Sequence, residues 1–121
     1  MHFLCLVHLD RDLASALTPA EHEALDRENL AYAAWLDQGR AVAMSALEEP
    51  ETATLIRRRR GQLSMTDGPY VETKEHVAGF MFIKARDREE ALEIASKSPV
   101  TRIGTIEVRA ASYIEPRDSG G

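Results

Sequence analysis

The sequence predicts a small α+β domain with an antiparallel sheet, and three observations support this class. Short apolar runs have the length of strands, two capped segments have the spacing of helices, and an Arg-Arg-Gly turn joins two further strands. The chain has 121 residues, which suits one hydrophobic core. We expect a single domain over residues 1–115 and a flexible polar tail over residues 116–121.

The first half of the chain predicts a strand, a long helix and a second strand. Residues 2–9 are apolar apart from two histidines, which is typical of a short strand buried on both faces. Residues 18–21, Thr-Pro-Ala-Glu, combine an N-cap, a proline at the first helical position and the glutamate of a capping box. We expect this helix to reach residue 38, Gly39 to end it in a left-handed conformation, and residues 41–44 to begin the second strand.

The second half predicts a hairpin, a long strand, a helix and a last strand. Residues 52–58 and 62–66 flank the Arg-Arg-Gly sequence and predict a hairpin, because glycine readily adopts the positive φ of a tight turn. Residues 77–84 are apolar and aromatic, which favours a strand inside the sheet. Residues 87–97 predict a helix with Asp as its N-cap, and residues 105–111 predict the last strand. The apolar side of this second helix is expected to consist of Leu92, Ile94 and Ala95.

This order of elements is a split βαβ pattern, that of a ferredoxin-like βαββαβ plait with a hairpin inserted before the third sheet strand. Both helices would cover one face of the sheet, so the other face would need a different cover. The sheet of a second copy, packed face to face on the first, would cover that face. A chain this short has a small core, so the additional buried surface would also increase its stability. We therefore expect a homodimer.

Composition and charge exclude several classes of function. The formal net charge is −5 and the isoelectric point is near 5.4, and an acidic chain repels nucleic acid and anionic membranes. The one cysteine, Cys5, cannot form an internal disulfide, and the start of the chain lacks the basic leader of a signal peptide, so we expect a cytoplasmic protein. The four histidines lack the close spacing of zinc ligands, and the motifs of the common enzyme classes are missing. No metal and no cofactor are expected.

The stretch Thr-Asp-Gly-Pro-Tyr-Val-Glu-Thr-Lys-Glu at residues 66–75 resembles the signature of the DGPF branch of the YCII-related family. Residues 50–54, the pair Gly79-Phe80 and residues 104–109 extend the resemblance over almost the whole chain. The resemblance implies a dimeric α/β barrel, and it implies that some relatives are associated with extracytoplasmic-function sigma factors. Related proteins have a His–Asp pair in a cleft, and the resemblance places Glu28 near the position of that histidine.

Two carboxylates, Asp67 and Glu28, are predicted as catalytic residues. Glu28 falls at the edge of the apolar helix stripe of Leu25, Tyr32 and Leu36, where a carboxylate needs a partner or serves as an acid or base. The alternative for Glu28 is a structural ion pair with an arginine. Asp67 precedes a rigid glycine–proline turn that can fix its side chain, and its alternative is an Asx-turn without a function. If both faced one cleft, they would form an acid/base pair.

Four further residues are predicted to bind a ligand: Tyr70, Lys74, His8 and His76. The tyrosine offers a ring and a hydroxyl, the lysine contacts anions, and histidines titrate near neutral pH. The predicted function is the binding of a small polar metabolite in a cleft near the dimer interface, with acid/base chemistry there. The alternative is a non-catalytic regulatory or interaction module, for example one associated with a sigma factor. Its protein partner would dock on the basic hairpin tip at residues 57–60 or on residues 72–75.

Overall fold

The computed structural model describes residues 1–71 and 73–112, and it contains the following elements there. The strands are β1 (His2–Asp10), β2 (Ala41–Ala46), β3 (Thr54–Arg59), β4 (Gln62–Asp67), β5 (Glu75–Lys84) and β6 (Gly104–Ala110). The helices are α1 (Arg11–Ser15), α2 (Pro19–Leu36) and α3 (Arg88–Ser96), and short 3₁₀ helices span Pro50–Thr52 and Pro99–Arg102. Glu72 and the predicted tail over residues 116–121 lie outside the described residues. None of the described helices is long and apolar enough to cross a membrane.

Four strands form an antiparallel sheet in the order β2-β5-β1-β6, and β3 and β4 form a separate two-stranded sheet. With the hairpin and the short helix α1 set aside, the remaining elements follow the βαββαβ order. The ferredoxin-like α+β fold predicted from the sequence is therefore confirmed. β5 lies inside the sheet, as its apolar and aromatic composition indicates.

The long helix α2 begins and ends at signals that its sequence carries. The Thr18 hydroxyl oxygen accepts a hydrogen bond from the Glu21 amide (3.1 Å), and the Glu21 carboxylate accepts one from the Thr18 amide (2.9 Å). The hydrogen bond from the Thr18 amide, followed by the contribution of the Thr18 side chain, holds the pKa of the Glu21 carboxyl below its ordinary value. The helix ends at Leu36, slightly before the predicted end, and Gly39 follows with a φ of +86°.

One face of the sheet forms the core together with α2 and α3. The largest fully buried side chains are those of Phe3, Leu36, Ile83 and Cys5, and they belong to one cluster. Because strand side chains alternate, residues 3 and 5 of β1 point into this core while residues 4 and 6 point away. Burial raises the pKa of the Cys5 thiol to about 11, so the thiol stays protonated and packs as a small apolar group.

The helix α3 faces the core with Ala91, Ile94 and Ala95. Leu92 is 43% exposed, so the prediction that it belongs to the apolar side is wrong. Residues 91, 94 and 95 share one stripe by spacings of three and four, and residue 92 lies about 100° around the helix from residue 91. The Tyr32 hydroxyl donates a hydrogen bond to the Ile94 carbonyl oxygen (2.7 Å), which ties α2 to α3. Burial raises the pKa of the Tyr32 hydroxyl.

We call the opposite face of the sheet the open face. It carries an apolar stripe along the two inner strands, β1 and β5. The stripe consists of Leu4, Leu6, Phe80 and Phe82, which are partly exposed. Leu4 lies opposite Phe82, and Leu6 lies opposite Phe80. Polar residues flank the stripe, because Ser45 of β2 lies opposite Phe80 and Glu107 of β6 lies opposite Leu6. The open face is therefore apolar along its middle and polar at its edges.

Two leucines of α2 provide a test of the core assignment. Leu36 is 1% exposed and Leu30 is 72% exposed. Leu36→Ala removes buried methyl groups and leaves a cavity, so we expect it to lower the free energy of unfolding by about 2–5 kcal/mol. The matched variant Leu30→Ala should change it by less than about 0.5 kcal/mol. Urea unfolding followed by circular dichroism measures both, and equal effects of the two variants would contradict this packing.

Candidate functional site

A cleft of about 570 Å³ lies where the hairpin meets one end of the sheet. Its wall combines the end of β1, the start of β5, the loop after β2, the base of β3 and the turn after β4. Its titratable lining residues are His8, Glu48, Glu49, Tyr70, Glu75 and His76. Its larger apolar lining residues are Leu47, Leu55, Val71 and Val77. A pocket of this size, mainly apolar and with a few polar groups, is typical of a site for a small molecule.

The turn after β4 is fixed to the base of the hairpin by one glycine. The Gly68 amide donates a hydrogen bond to the Ala53 carbonyl oxygen (2.7 Å). A Cβ atom at Gly68 would lie 2.8 Å from the Ala53 Cβ, so only glycine allows this approach. The contact holds Pro69 and Tyr70 in the wall of the cleft.

His8 enters the cleft at an irregular point of the strand pairing. Val7 lies opposite Gly79, but His8 lies opposite Val77, so Ala78 is an extra residue on β5. Such a β-bulge bends the strand and changes the direction of nearby side chains, and bulges are common next to functional sites. The cleft therefore forms where the regular β1–β5 ladder is interrupted.

The side chain of His8 lies within hydrogen-bond distance of Glu107 of β6 (Nε2 to Oε1, 3.0 Å), and the contact is also an ion pair when the imidazole is protonated. The side chains of His8 and Glu107 are 24% and 44% exposed, so both are held in place while they remain accessible to solvent. An ionised carboxylate only accepts hydrogen bonds, so Nε2 of His8 must carry the proton of this bond. In the neutral imidazole, Nδ1 is then the proton acceptor, and it has no hydrogen-bond partner among the described residues.

A second polar pair lies on the same side of the cleft. The Thr105 hydroxyl of β6 donates a hydrogen bond to Oε2 of Glu75 at the start of β5 (3.2 Å). Thr105 lies directly opposite His8 in the β1–β6 ladder, so the two pairs are neighbours on the open face. The end of the open face thus presents one imidazole and two carboxylates.

Three of the four residues predicted to bind a ligand line the cleft: His8, Tyr70 and His76. Tyr70 is 74% exposed, and the Arg57 guanidinium lies 5.5 Å from the centre of its ring. Lys74 does not line the cleft. Its ammonium group lies 3.7 Å from the carboxylate of Asp10, a buried residue that caps α1.

The structure does not bring Asp67 and Glu28 together in this cleft. Asp67 is the exposed last residue of β4, opposite Thr54, and Glu28 is an exposed residue of α2 that pairs with Arg102. Neither lines the cleft. Their catalytic roles stay predictions. The contact of Glu28 with Arg102 corresponds to the alternative given above, a structural ion pair with an arginine.

Sequence reasoning missed two residues of the site, Glu75 and Glu107. Glu107 alternates with Ile106 and Val108 along β6, and this pattern shows only that it leaves the core side of a strand. Its contact with His8 depends on the pairing of β1 with β6, which joins residues far apart in the chain. Among the described residues, no group of three or more His, Cys, Asp or Glu side chains is arranged to hold a metal ion.

These features define a small ferredoxin-like α+β protein with a cleft at the end of its open sheet face. Residues 1–113 match the family model of the YCII-related domain, and the chain belongs to that family. The chain is 28% identical to an uncharacterised protein of Rhizobium meliloti (strain 1021) in an alignment of 121 positions that covers 96% of each chain.

A solved structure with the same fold is 5-chloro-2-hydroxyhydroquinone dehydrochlorinase from Burkholderia phenoliruptrix AC1100, in complex with 2,5-dihydroxybenzoquinone. The TM-score is 0.51, the sequences are 14% identical, and the match covers 98% of this chain and 100% of the other. This likeness supports the fold.

One glycine tests how closely β6 must approach β1 beside the site. Gly104 lies opposite Leu9, and a Cβ atom at Gly104 would overlap the His8 carbonyl oxygen. We expect Gly104→Ala to push β6 away from β1 and to lower the free energy of unfolding by about 1–3 kcal/mol. Urea unfolding measures this loss, and a variant as stable as the wild type would contradict the observed strand spacing.

Proposed function

We propose that this protein binds a small polar molecule in the cleft and that His8 exchanges a proton with it. The observation that carries this proposal is the contact between Nε2 of His8 and Glu107 at the wall of a cleft of ligand size. The sequence predicts that His8 contacts a ligand, and the proposal adds that His8 acts as an acid and base toward that ligand.

The chemistry follows from the role of Glu107. Its carboxylate orients the imidazole and selects the tautomer in which Nδ1 is free to accept a proton. The same carboxylate stabilises the imidazolium that forms when His8 takes up that proton. A histidine held by a carboxylate in this way can act as a general base and later return the proton as a general acid.

We also propose that the protein is a cytoplasmic homodimer and that the cleft lies near the subunit interface. The apolar stripe of the open face supports the dimer, because a second copy of the chain would bury it. His8, Leu4 and Leu6 share one side of β1, so the cleft adjoins that stripe. A second sheet packed on the open face would lie beside the cleft and exclude water from it.

The structural relative is compatible with a small-molecule site, because that protein is a dehydrochlorinase solved in complex with 2,5-dihydroxybenzoquinone. At 14% identity the likeness extends to the fold alone. The ligand of this chain must therefore be inferred from the residues of its own cleft.

The experiment is native mass spectrometry of the protein after exposure to a cytoplasmic metabolite extract. We expect a dimer with a bound small mass in the wild type, and we expect His8→Gln to lose it because a hydrogen bond in the site is worth roughly tenfold in affinity. His22→Gln is the matched control, since His22 is an exposed residue of α2 away from the cleft. It should keep the bound mass.

Other outcomes would change the proposal. A wild-type protein without a bound mass would contradict ligand binding, and a His8→Gln variant that keeps the bound mass would contradict the role of His8. Loss of the bound mass in a folded Asp67→Ala or Glu28→Gln variant would instead support the carboxylates predicted from the sequence. A monomeric mass at micromolar concentration would contradict the dimer.

The second candidate function is the non-catalytic interaction module. The outward face of the hairpin favours it, because Ile56 and Met65 lie opposite each other there and are both 62% exposed. Arg58 and Leu63 continue the same face toward the basic tip. If a protein partner docks there, charge reversal at Arg58 and Arg59 should abolish its capture, while reversal at the exposed Arg88 of α3 should not. Undiminished capture by the hairpin variant would contradict this candidate.

A further inference from the structure

The cleft is lined by carboxylates, and its described lining contains no lysine or arginine to balance them. The described lining residues include three carboxylates, Glu48, Glu49 and Glu75, and they include no lysine and no arginine. The only nitrogen-containing titratable side chains among the described lining residues are those of His8 and His76. An anionic ligand would meet like charges in this cleft, and like charges disfavour binding strongly where water is partly excluded.

Each cation near the cleft already has a partner. The Arg11 guanidinium contacts the carboxylates of Glu49 (3.4 Å) and Glu51 (2.5 Å). The Lys74 ammonium group contacts Asp10 (3.7 Å), and the Arg57 guanidinium lies over the ring of Tyr70 (5.5 Å). Arg11 therefore neutralises Glu49 in part. Among the described residues, Glu48 and Glu75 have no cation within ion-pair distance.

Glu75 is the better placed of these two carboxylates. It is half-buried at the start of β5, whereas Glu48 is exposed on the loop after β2. Among the described residues, the only hydrogen-bond partner of its carboxylate is the Thr105 hydroxyl, which donates to Oε2 (3.2 Å), so Oε1 keeps its capacity to accept. A half-buried carboxylate that is oriented by one hydrogen bond and lacks a cation can form a charge-assisted hydrogen bond with an ammonium group.

The rest of the wall suits an apolar body attached to that ammonium group. Leu47, Leu55 and Val77 give the cleft apolar surface, and Pro69 and Tyr70 add flat groups from the turn after β4. An aromatic ring also attracts a cation placed over its face. We infer that the cleft selects a cationic organic amine with a small apolar or aromatic body, and that Glu75 holds its ammonium group. This inference rests on the proposed function, because it concerns the ligand of the same cleft.

Three ring compounds of nearly equal shape test the sign of the charge: benzylamine, benzyl alcohol and benzoate. Amide resonances of ¹⁵N-labelled protein near neutral pH report where each binds. Benzylamine should shift the resonances of Thr73, His76 and Val77 in the cleft and bind roughly tenfold more tightly than benzyl alcohol. Both compounds can donate a hydrogen bond to the Glu75 carboxylate, but only the ammonium group adds the attraction between two opposite full charges. Benzoate should bind more weakly than the alcohol.

A pair of glutamate variants tests the anchor. Glu75→Gln should lower the affinity for benzylamine far more than the affinity for benzyl alcohol, because the amine loses the attraction between two full charges whereas the alcohol loses only the charge assistance of one hydrogen bond. Glu89→Gln is the matched control, because Glu89 is an exposed residue of α3 that does not line the cleft. It should leave all three affinities unchanged.

The inference is overturned if benzoate binds in the cleft at least as tightly as benzylamine, if the amine and the alcohol bind equally, or if benzylamine leaves the cleft resonances unshifted at millimolar concentration. An unchanged benzylamine affinity in Glu75→Gln would overturn the assignment of the anchor. None of these results removes the proposed function, which stands if a mass from the metabolite extract is bound by the wild type and lost in His8→Gln.

Discussion

The structure depends on the pairing of β1 with two antiparallel neighbours, β5 along one edge and β6 along the other. The inner face of β1 places Phe3 and Cys5 in the core, and its outer face carries Leu4, Leu6 and His8 onto the open face. Side chains alternate along a strand, so a shift of one residue in this pairing would exchange the two faces. The core and the candidate site are therefore fixed by the same set of hydrogen bonds.

The site lies where this pairing becomes irregular. The bulge at Ala78 ends the regular ladder between β1 and β5, and the cleft opens at that end of the sheet. On the other edge the ladder stays regular, which keeps His8 beside Thr105 and within reach of Glu107. The regular pairing of β1 with β6 therefore positions His8, Thr105 and Glu107, and the irregular pairing of β1 with β5 leaves room for a ligand. A binding site needs both polar groups that are held in position and space for the ligand.

Local sequence signals predicted the six strands and the two longer helices but only part of the site. The capping box at residues 18–21 and the glycine of the hairpin turn act through neighbours in the chain, so they can be read from the sequence. The five-residue helix α1 was missed because its cap, Asp10, looks like the polar end of a strand. The site depends on contacts between distant residues, such as His8 with Glu107, and no local pattern contains them. The helix wheel left two readings of Glu28 open, a catalytic role or an ion pair with an arginine, and it could not indicate that the arginine would be Arg102.

The most direct test of the central claim is a crystal structure of the protein with the small molecule that it retains from a metabolite extract. The account predicts that the ligand occupies the cleft beside Tyr70, with a polar atom within about 3.2 Å of Nδ1 of His8. A ligand bound elsewhere, for example beside Glu28 and Arg102, would contradict the account. A ligand in the cleft without a contact to His8 would contradict the assignment of proton exchange to that histidine.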